Sequence, residues 1–507
     1  MCKVRVSALK NELEKGEKGE EKAHKKDLVE YIGLVTHKPN TQPGGNNIME
    51  DTKKDSRGEK QGDDPDIEAQ KHILRSFFRA VQRYGGKLHD IFSGVSDPRQ
   101  AGKITYSLSV LLFTGVLLFA CQLGARRQIN HKLRGNATVR KKYRALFGVE
   151  DIPHGDTLNY SYQRLKVDEV QEVVCRLMEK MMMQEELHKW RLFGIYYLIA
   201  IDGTGVLTYH ERHCEFCLTR KLNNGQILYY HPVLEAKWVT ANGYAFSLMT
   251  EFIENRDPQA TKQDCELKAF YRLAERLKKR FPRVEFCLLL DGLFAGGPTL
   301  EMCQKKDWKY FISLTDEDLP SVNQEFEALL ALPPENRREI ELDKGVRQSY
   351  RWMNGIEYTD SDQHAHALNV LECVETHANA RSTPSTKFKW LTNFTLLSSN
   401  APCLANQAGR LRWKIENEGF NLQKTGGFAL EHVFSQDENA HKVFYLLLQL
   451  ALIFFQLMAK SAVFIQAFPK GVGALKNIAF RLLEAWRNLR LEDQAFLALL
   501  AFPCDTS

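Results

Sequence analysis

The sequence predicts an α/β protein: a mixed sheet with flanking helices, preceded by a helical N-terminal region. Three observations carry this. Between residues 192 and 314, short apolar runs rich in β-branched and aromatic residues surround an amphipathic stretch of helical period. Before them, residues 67–190 read as helix throughout. After residue 320 the text becomes polar with short strand-like pieces, and helical text returns at about 405.

At 507 residues the chain has room for roughly three domains, at about 150 residues each. Its 44% hydrophobic and 26% charged residues are those of an ordinary globular protein, and a mean hydropathy of −0.37 excludes a polytopic membrane protein. The net charge of +6 is small, but its distribution is uneven. Residues 67–190 hold 20 basic against 12 acidic side chains, which is the footprint of nucleic-acid or anionic-surface binding, or of a solvated helix face. Eleven scattered cysteines, several in apolar text (Cys121, Cys175, Cys287), suit a reducing compartment rather than a disulfide framework. Residues 1–30 are charged and lack the apolar core of a secretory signal.

Taken in order, residues 1–66 are too polar to offset their ordering entropy and are expected to be disordered. A helix starts near Asp66, with Ile73, Leu74, Phe77, Phe78 and Val81 on one face and Lys71, Arg75, Arg79 and Arg83 at four-residue spacing on another; Gly85-Gly86 ends it. The run 106–125 approaches spanning length, and 443–458 is shorter and interrupted by Gln449 and Gln456; both read better as buried core helices than as a membrane anchor. Residues 126–144 contain eight basic side chains and no acidic one, among them Arg126, Arg127, Arg140, Lys141, Lys142 and Arg144, candidates for DNA-phosphate contact. From 192 the period changes. LFGIYYLIAID (192–202), ILYYHPVLEAKWV, YAFSLMTEFI, VEFCLLLD (284–291) and WKYFISL (308–314) read as strands, with a helix over 264–281. The resulting segments are a helical region with a basic surplus at 67–190, a sheet-bearing segment at 191–319, a polar segment with strand-like pieces at 320–404, helical text at 405–460 and a C-terminal helical region at 461–507.

Two acidic residues close the two most apolar strands, Asp202 in LIAIDGTG and Asp291 in CLLLDGLF. Either Asp-Gly pair could be a tight turn. Together, carboxylates at the ends of adjacent strands converge where α/β sheets bind ligands, and such a pair suits Mg²⁺. A third carboxylate is offered by GRLRWKIENEGFNLQKTGG, where Arg412 and Glu416 share a helical face, as an ordinary surface ion pair would also do. On an ideal helix Gln423 extends that face, whereas Glu418 turns toward the apolar side and needs a partner. A separate cluster, His213, Cys214, Cys217 and His231, with His210 nearby, has a Cys-x2-Cys pair at zinc-ligand spacing; the alternative is a reduced thiol pair in a hairpin.

In order, DGTG, HCEFCLTRK…YYHPVL, KQDCELKA, LLLDGLFAGGPTLEMCQKKDWKYFISL and RWKIENEGFN resemble the DDE transposases of bacterial insertion sequences, over about residues 190–440. The resemblance implies an RNase-H-like fold in which Asp202, Asp291 and Glu416 are the metal-binding triad. Their spacings are 89 and 125 residues, the second long enough for a β-rich insertion before the glutamate. Arg412 and Lys424 correspond to positions that contact DNA, although Gly409 stands where that motif has tyrosine and Lys424 falls one residue late. It also implies Mg²⁺ (or Mn²⁺) as cofactor, double-stranded transposon ends and target DNA as partners, a homodimer in the synaptic complex, no membrane, and a location on the bacterial nucleoid in the cytoplasm. The activity implied is metal-dependent 3′-end cleavage followed by strand transfer. The alternative is a catalytically inactive DNA-binding protein derived from a transposase.

Overall fold

The computed structural model describes residues 65–256, 262–330, 336–342, 345–377 and 385–501. The chain divides into two units, Met1–Gly62 and Asp63–Ser507, and the described helices and strands all belong to the second. The expectation of disorder for residues 1–66 falls almost wholly outside the described residues.

The helical N-terminal region is built as its periodicity requires. Helix α1 (Pro65–Ala80) buries Ile73, Leu74, Phe77 and Phe78, and continues as a π-helical turn to Gly85 before Gly86 takes a positive φ of 84°. Lys71, Arg75 and Arg79 are only half-exposed, and Lys71 pairs with Glu68 at 2.6 Å. Helix α2 (Leu108–Ala120), capped by Ser107, is apolar on every side and buried accordingly. Helices α3 (Ala137–Phe147), α4 (Gly155–Tyr162) and α5 (Val167–Met182) follow, the last packing Val170, Val174, Met178 and Met181 into the core.

Ten strands among the described residues form one mixed sheet. Its central members are β1 (Tyr197–Tyr209), β2 (Leu218–Lys221), β3 (Ile227–Val239) and β4 (Ala245–Phe252), then helix α6 (Glu266–Arg280) and β5 (Phe286–Leu290). Helix α7 (Gly297–Lys306) leads to β6 (Lys309–Ser313). β3 pairs antiparallel with β1, β2 and β4, whereas β5 lies parallel to both β1 and β6. The region 320–404 supplies helix α8 (Pro320–Leu330), strands β7 (Arg337–Leu342), β8 (Val346–Thr359), β9 (Ala365–His377) and β10 (Thr386–Thr392), and helix α9 (Ala401–Gln407). Because β10 pairs with β6, these strands continue the same sheet.

The continuous apolar text of β1, β5 and β6 has a simple cause: both faces of these strands are covered. Ile199, Ile201, Phe286, Leu288 and Leu290 point into the core shared with the helices, while Leu198, Ala200, Cys287, Leu289 and Phe311 point to a second core under α9 and residues 409–420. Helix α10 (Glu438–Ala459) is long and apolar enough to cross a membrane by length and composition, yet 94% of its most apolar window is buried against the sheet and α2. Both long apolar runs are therefore core helices. Helix α11 (Leu475–Asn488) closes the C-terminal part against α1 and α3.

Two features of β1 differ from expectation. The strand starts at Tyr197 rather than 192, because Phe193 and Gly194 adopt positive φ and Leu192 bridges to Tyr196 in a tight turn. It also does not end at Asp202. Asp202-Gly203 pairs with Glu235 and Leu234 and the strand runs on to Tyr209, so this Asp-Gly is not a turn.

Candidate active site

Asp202 lies two residues beyond the last parallel pair of β1 with β5, Ala200 with Leu289, where the two strands part. Asp291 directly follows β5, and its side chain accepts a hydrogen bond from Leu293 N at 3.1 Å, capping a short 3₁₀ turn. Glu416 comes from a π-helical turn (Ile415–Phe420) that follows a 3₁₀ turn (Gly409–Trp413). Three segments remote in sequence are thus drawn to one spot. Arg412, only 6% exposed, joins them: its Nη1 is 3.5 Å from Asp202 Oδ2 and its Nη2 donates to Glu416 Oε1 at 2.9 Å. The ion pair expected from the i,i+4 spacing is present, with its arginine buried in the site and its glutamate half-buried.

Burial pushes the Asp202 carboxyl up to about 7; Arg412 opposes the rise, and Asp291 and Glu416 add to it. Burial also raises Asp291, against Arg412 and with help from Asp318 and Glu416. Carboxylates this crowded disfavour their own ionisation unless positive charge is supplied, and Arg412 supplies one charge among several acids.

Sequence reasoning missed two further carboxylates, Glu266 and Asp318. A Cβ at Gly203 would collide with the Glu266 carboxylate, and one at Gly292 would collide with that of Asp318. The glycine after each catalytic-candidate aspartate therefore leaves room for a second acid; Asp202-Gly203 does so within a strand, whereas Asp291-Gly292 also opens a 3₁₀ turn. Burial raises the Glu266 carboxyl, with Asp291 adding to it. Asp318 is held by Thr315 through its N–H at 2.7 Å and its hydroxyl at 2.8 Å.

The segment bearing Glu416 is seated on a buried polar network. Lys237 and Glu235, both with fully buried side chains, pair at 3.1 Å; Glu235 also accepts from Ser247 (2.7 Å), Tyr445 (2.9 Å) and Thr250. Lys237 donates to Gln449 Oε1 at 2.8 Å, and Gln423 donates to the same oxygen at 2.7 Å. Gly419 lies against the Lys237 stem, where a Cβ would meet it at 3.2 Å. Gln423 is therefore turned wholly into the core, not along the Glu416 face. That face was drawn at about 100° per residue, and successive 3₁₀, π and α turns do not keep this angle. Glu418 pairs with Lys414 at 2.5 Å. Gly409 replaces the expected tyrosine because a Cβ there would lie 2.6 Å from the Trp390 indole.

The basic candidates divide. Lys142 is not a surface group: it is buried, its Nζ donates to the carbonyls of Ala485, Trp486 and Leu489 at 2.7–3.0 Å, and burial lowers it to about 7. It satisfies the orphan carbonyls at the end of α11 and cannot reach DNA from there. Lys141 pairs with Glu492, Arg144 with Glu150, Arg126 with Asp156 and Lys424 with Glu431. Arg127 and Arg140 are exposed.

Of the second cluster, Cys214, Cys217 and His231 converge, half-buried or buried, whereas His213 is bonded to the Gln436 carbonyl at 2.8 Å and His210 is exposed. All the described cysteines are free.

Residues 89–178 match the DDE_Tnp_1-associated family. The match relates the chain to DDE transposases. It lies on the helical region, from the segment between α1 and α2 into α5, and so stands apart from the carboxylates, which come from later segments. No curated protein matches the chain.

Proposed function

We propose that this protein is a DNA transposase that cuts transposon ends and transfers the freed 3′ strand, using Asp202, Asp291 and Glu416. The observation that carries the reading is the convergence of these three carboxylates, from mid-β1, the end of β5 and the 415–420 turn, around one buried arginine. The sheet order supports an RNase-H-like core: three antiparallel strands, β4, β3 and β1, followed by the parallel β5 and β6.

The donor set fits a hard divalent cation, being all carboxylate oxygen and short of positive charge. When bound, a pair of such ions activates a water and stabilises the leaving oxygen in phosphodiester cleavage. Asp202, Asp291 and Glu416 would hold the ions, the other two acids both acting on Asp202. Arg412 then has to give up part of its contact with Asp202, and a scissile phosphate is a ready acceptor for a guanidinium so freed. Arg127 and Arg140 are the exposed cations of the helical region best suited to backbone phosphates. Cutting two ends together calls for a homodimer.

The test uses DNA carrying the inverted repeats that flank the gene, with Mg²⁺ or Mn²⁺. Wild-type protein should nick at the repeat ends and leave 3′-OH termini. Glu416→Gln should lose cleavage and stay folded, whereas Glu418→Gln should keep measurable activity because its carboxylate serves Lys414. The reverse pattern would remove Glu416 from the site.

A further inference from the structure

We infer that Cys214, Cys217 and His231 bind a zinc ion, with three protein ligands and water in the fourth position. The three ligand atoms are already arranged as one face of a coordination tetrahedron. Cys214 Sγ and Cys217 Sγ are 3.6 Å apart, and His231 Nε2 is 3.4 Å from the first and 3.1 Å from the second. Zinc–sulfur bonds of about 2.3 Å and zinc–nitrogen bonds of about 2.0–2.1 Å give tetrahedral edges of roughly 3.5–3.8 Å, close to these separations. A disulfide would need the sulfurs at about 2.05 Å, so the pair is a dithiol.

The local fold enforces the convergence. Cys214 and Cys217 lie on the loop between β1 and β2, and β2 returns so that Leu218 pairs with Tyr230, directly before His231. His231 in turn is paired with Leu207 on β1, so the histidine and the loop belong to one hairpin system. The loop is pinned from outside. Asn255 donates from its side chain to the Cys217 carbonyl at 3.1 Å and from its backbone to the Phe216 carbonyl at 3.2 Å. Such outer contacts hold ligating residues in place before the ion arrives.

His213, the remaining imidazole of the sequence motif, is otherwise engaged: it stacks on Tyr209 with centroids 4.4 Å apart and bonds to the Gln436 carbonyl. Among the described residues no fourth histidine, cysteine or carboxylate joins the three, so solvent completes the shell. The thiolate pair selects a soft or borderline ion, unlike the all-oxygen cluster around Asp202. The ion would fasten the 210–217 loop to β3, just beyond the end of β1, the strand whose middle carries Asp202.

The test is made on full-length protein purified under reducing conditions. Elemental analysis should give about one zinc per chain, and cobalt exchange should give a thiolate-to-cobalt charge-transfer band. Cys214→Ser, Cys217→Ser and His231→Gln should each lose the ion, while His213→Gln should retain it. Should the cysteine variants fail to fold, the wild-type protein decides: chelation should expose two thiols to maleimide that zinc protects. Metal-free protein with both thiols reactive from the outset, or a Cys214–Cys217 disulfide, would overturn the site. Loss of zinc in His213→Gln would overturn the three-ligand assignment.

Discussion

Asp202→Ala and Asp291→Ala will each lower divalent-cation-dependent strand cleavage by at least about 10³-fold, roughly 4 kcal/mol of transition-state stabilisation. Both side chains sit where β1 and β5 diverge, and both are held by a backbone N–H that aims the carboxylate: Gly203 for Asp202 at 2.9 Å and Leu293 for Asp291 at 3.1 Å. Neither supports the fold through its charge. The burial that raises their carboxyl groups works against the ionised form, so removing the acid relieves an unfavourable interaction. The Asp202→Ala protein should therefore melt no lower than wild type in the absence of metal, as expected where function rather than stability retains a residue. Arg412 keeps Glu416 as partner in that variant. DNA binding measured by gel shift should be nearly unchanged. Cleavage at the wild-type rate by either variant would remove that residue from the site.

The largest effect on stability is expected from Lys237→Met, a loss of about 3–5 kcal/mol in chemical denaturation. The substitution keeps most of the volume but leaves Glu235 buried without its counter-ion. Ser247, Thr250 and Tyr445 still donate to that carboxylate, yet none brings positive charge. It also frees Gln449 from one of its two donors and removes the stem on which Gly419 rests, so the 415–420 turn loses its seat. The double variant Glu235→Gln with Lys237→Met should recover part of the loss, because both charges then leave the core together. A single-variant loss below about 1 kcal/mol would mean that the pair does not anchor this region.

Much of this fold is legible in the sequence because β1, β5 and β6 are covered on both faces and α2 and α10 are buried on nearly every side, so their text is apolar without interruption. Two of the triad candidates, Asp202 and Asp291, are legible for a related reason: an acid at the end of such text is costly to bury and must have a use. Other features depend on partners far along the chain. Lys142 looks like one of a run of surface cations, and only the end of α11, more than three hundred residues later, shows it to be a carbonyl cap. Gln423 escapes a helical-face argument because the segment changes helical type twice between Gly409 and Thr425. Glu266 and Asp318 leave a faint signal in the glycines at 203 and 292, which vacate the space their carboxylates fill. The cysteine–histidine cluster is legible as residue types, but which of its histidines joins the thiols is set by the pairing of β3.

If Asp202, Asp291 and Glu416 form a divalent-cation site for phosphodiester chemistry, anomalous scattering from crystals soaked in Mn²⁺ will show it most directly. Two manganese peaks about 3.5–4 Å apart are expected among the three carboxylates, with Arg412 moved off Asp202. Crystals that show no manganese there, with Arg412 still paired to both Asp202 and Glu416, would contradict the assignment.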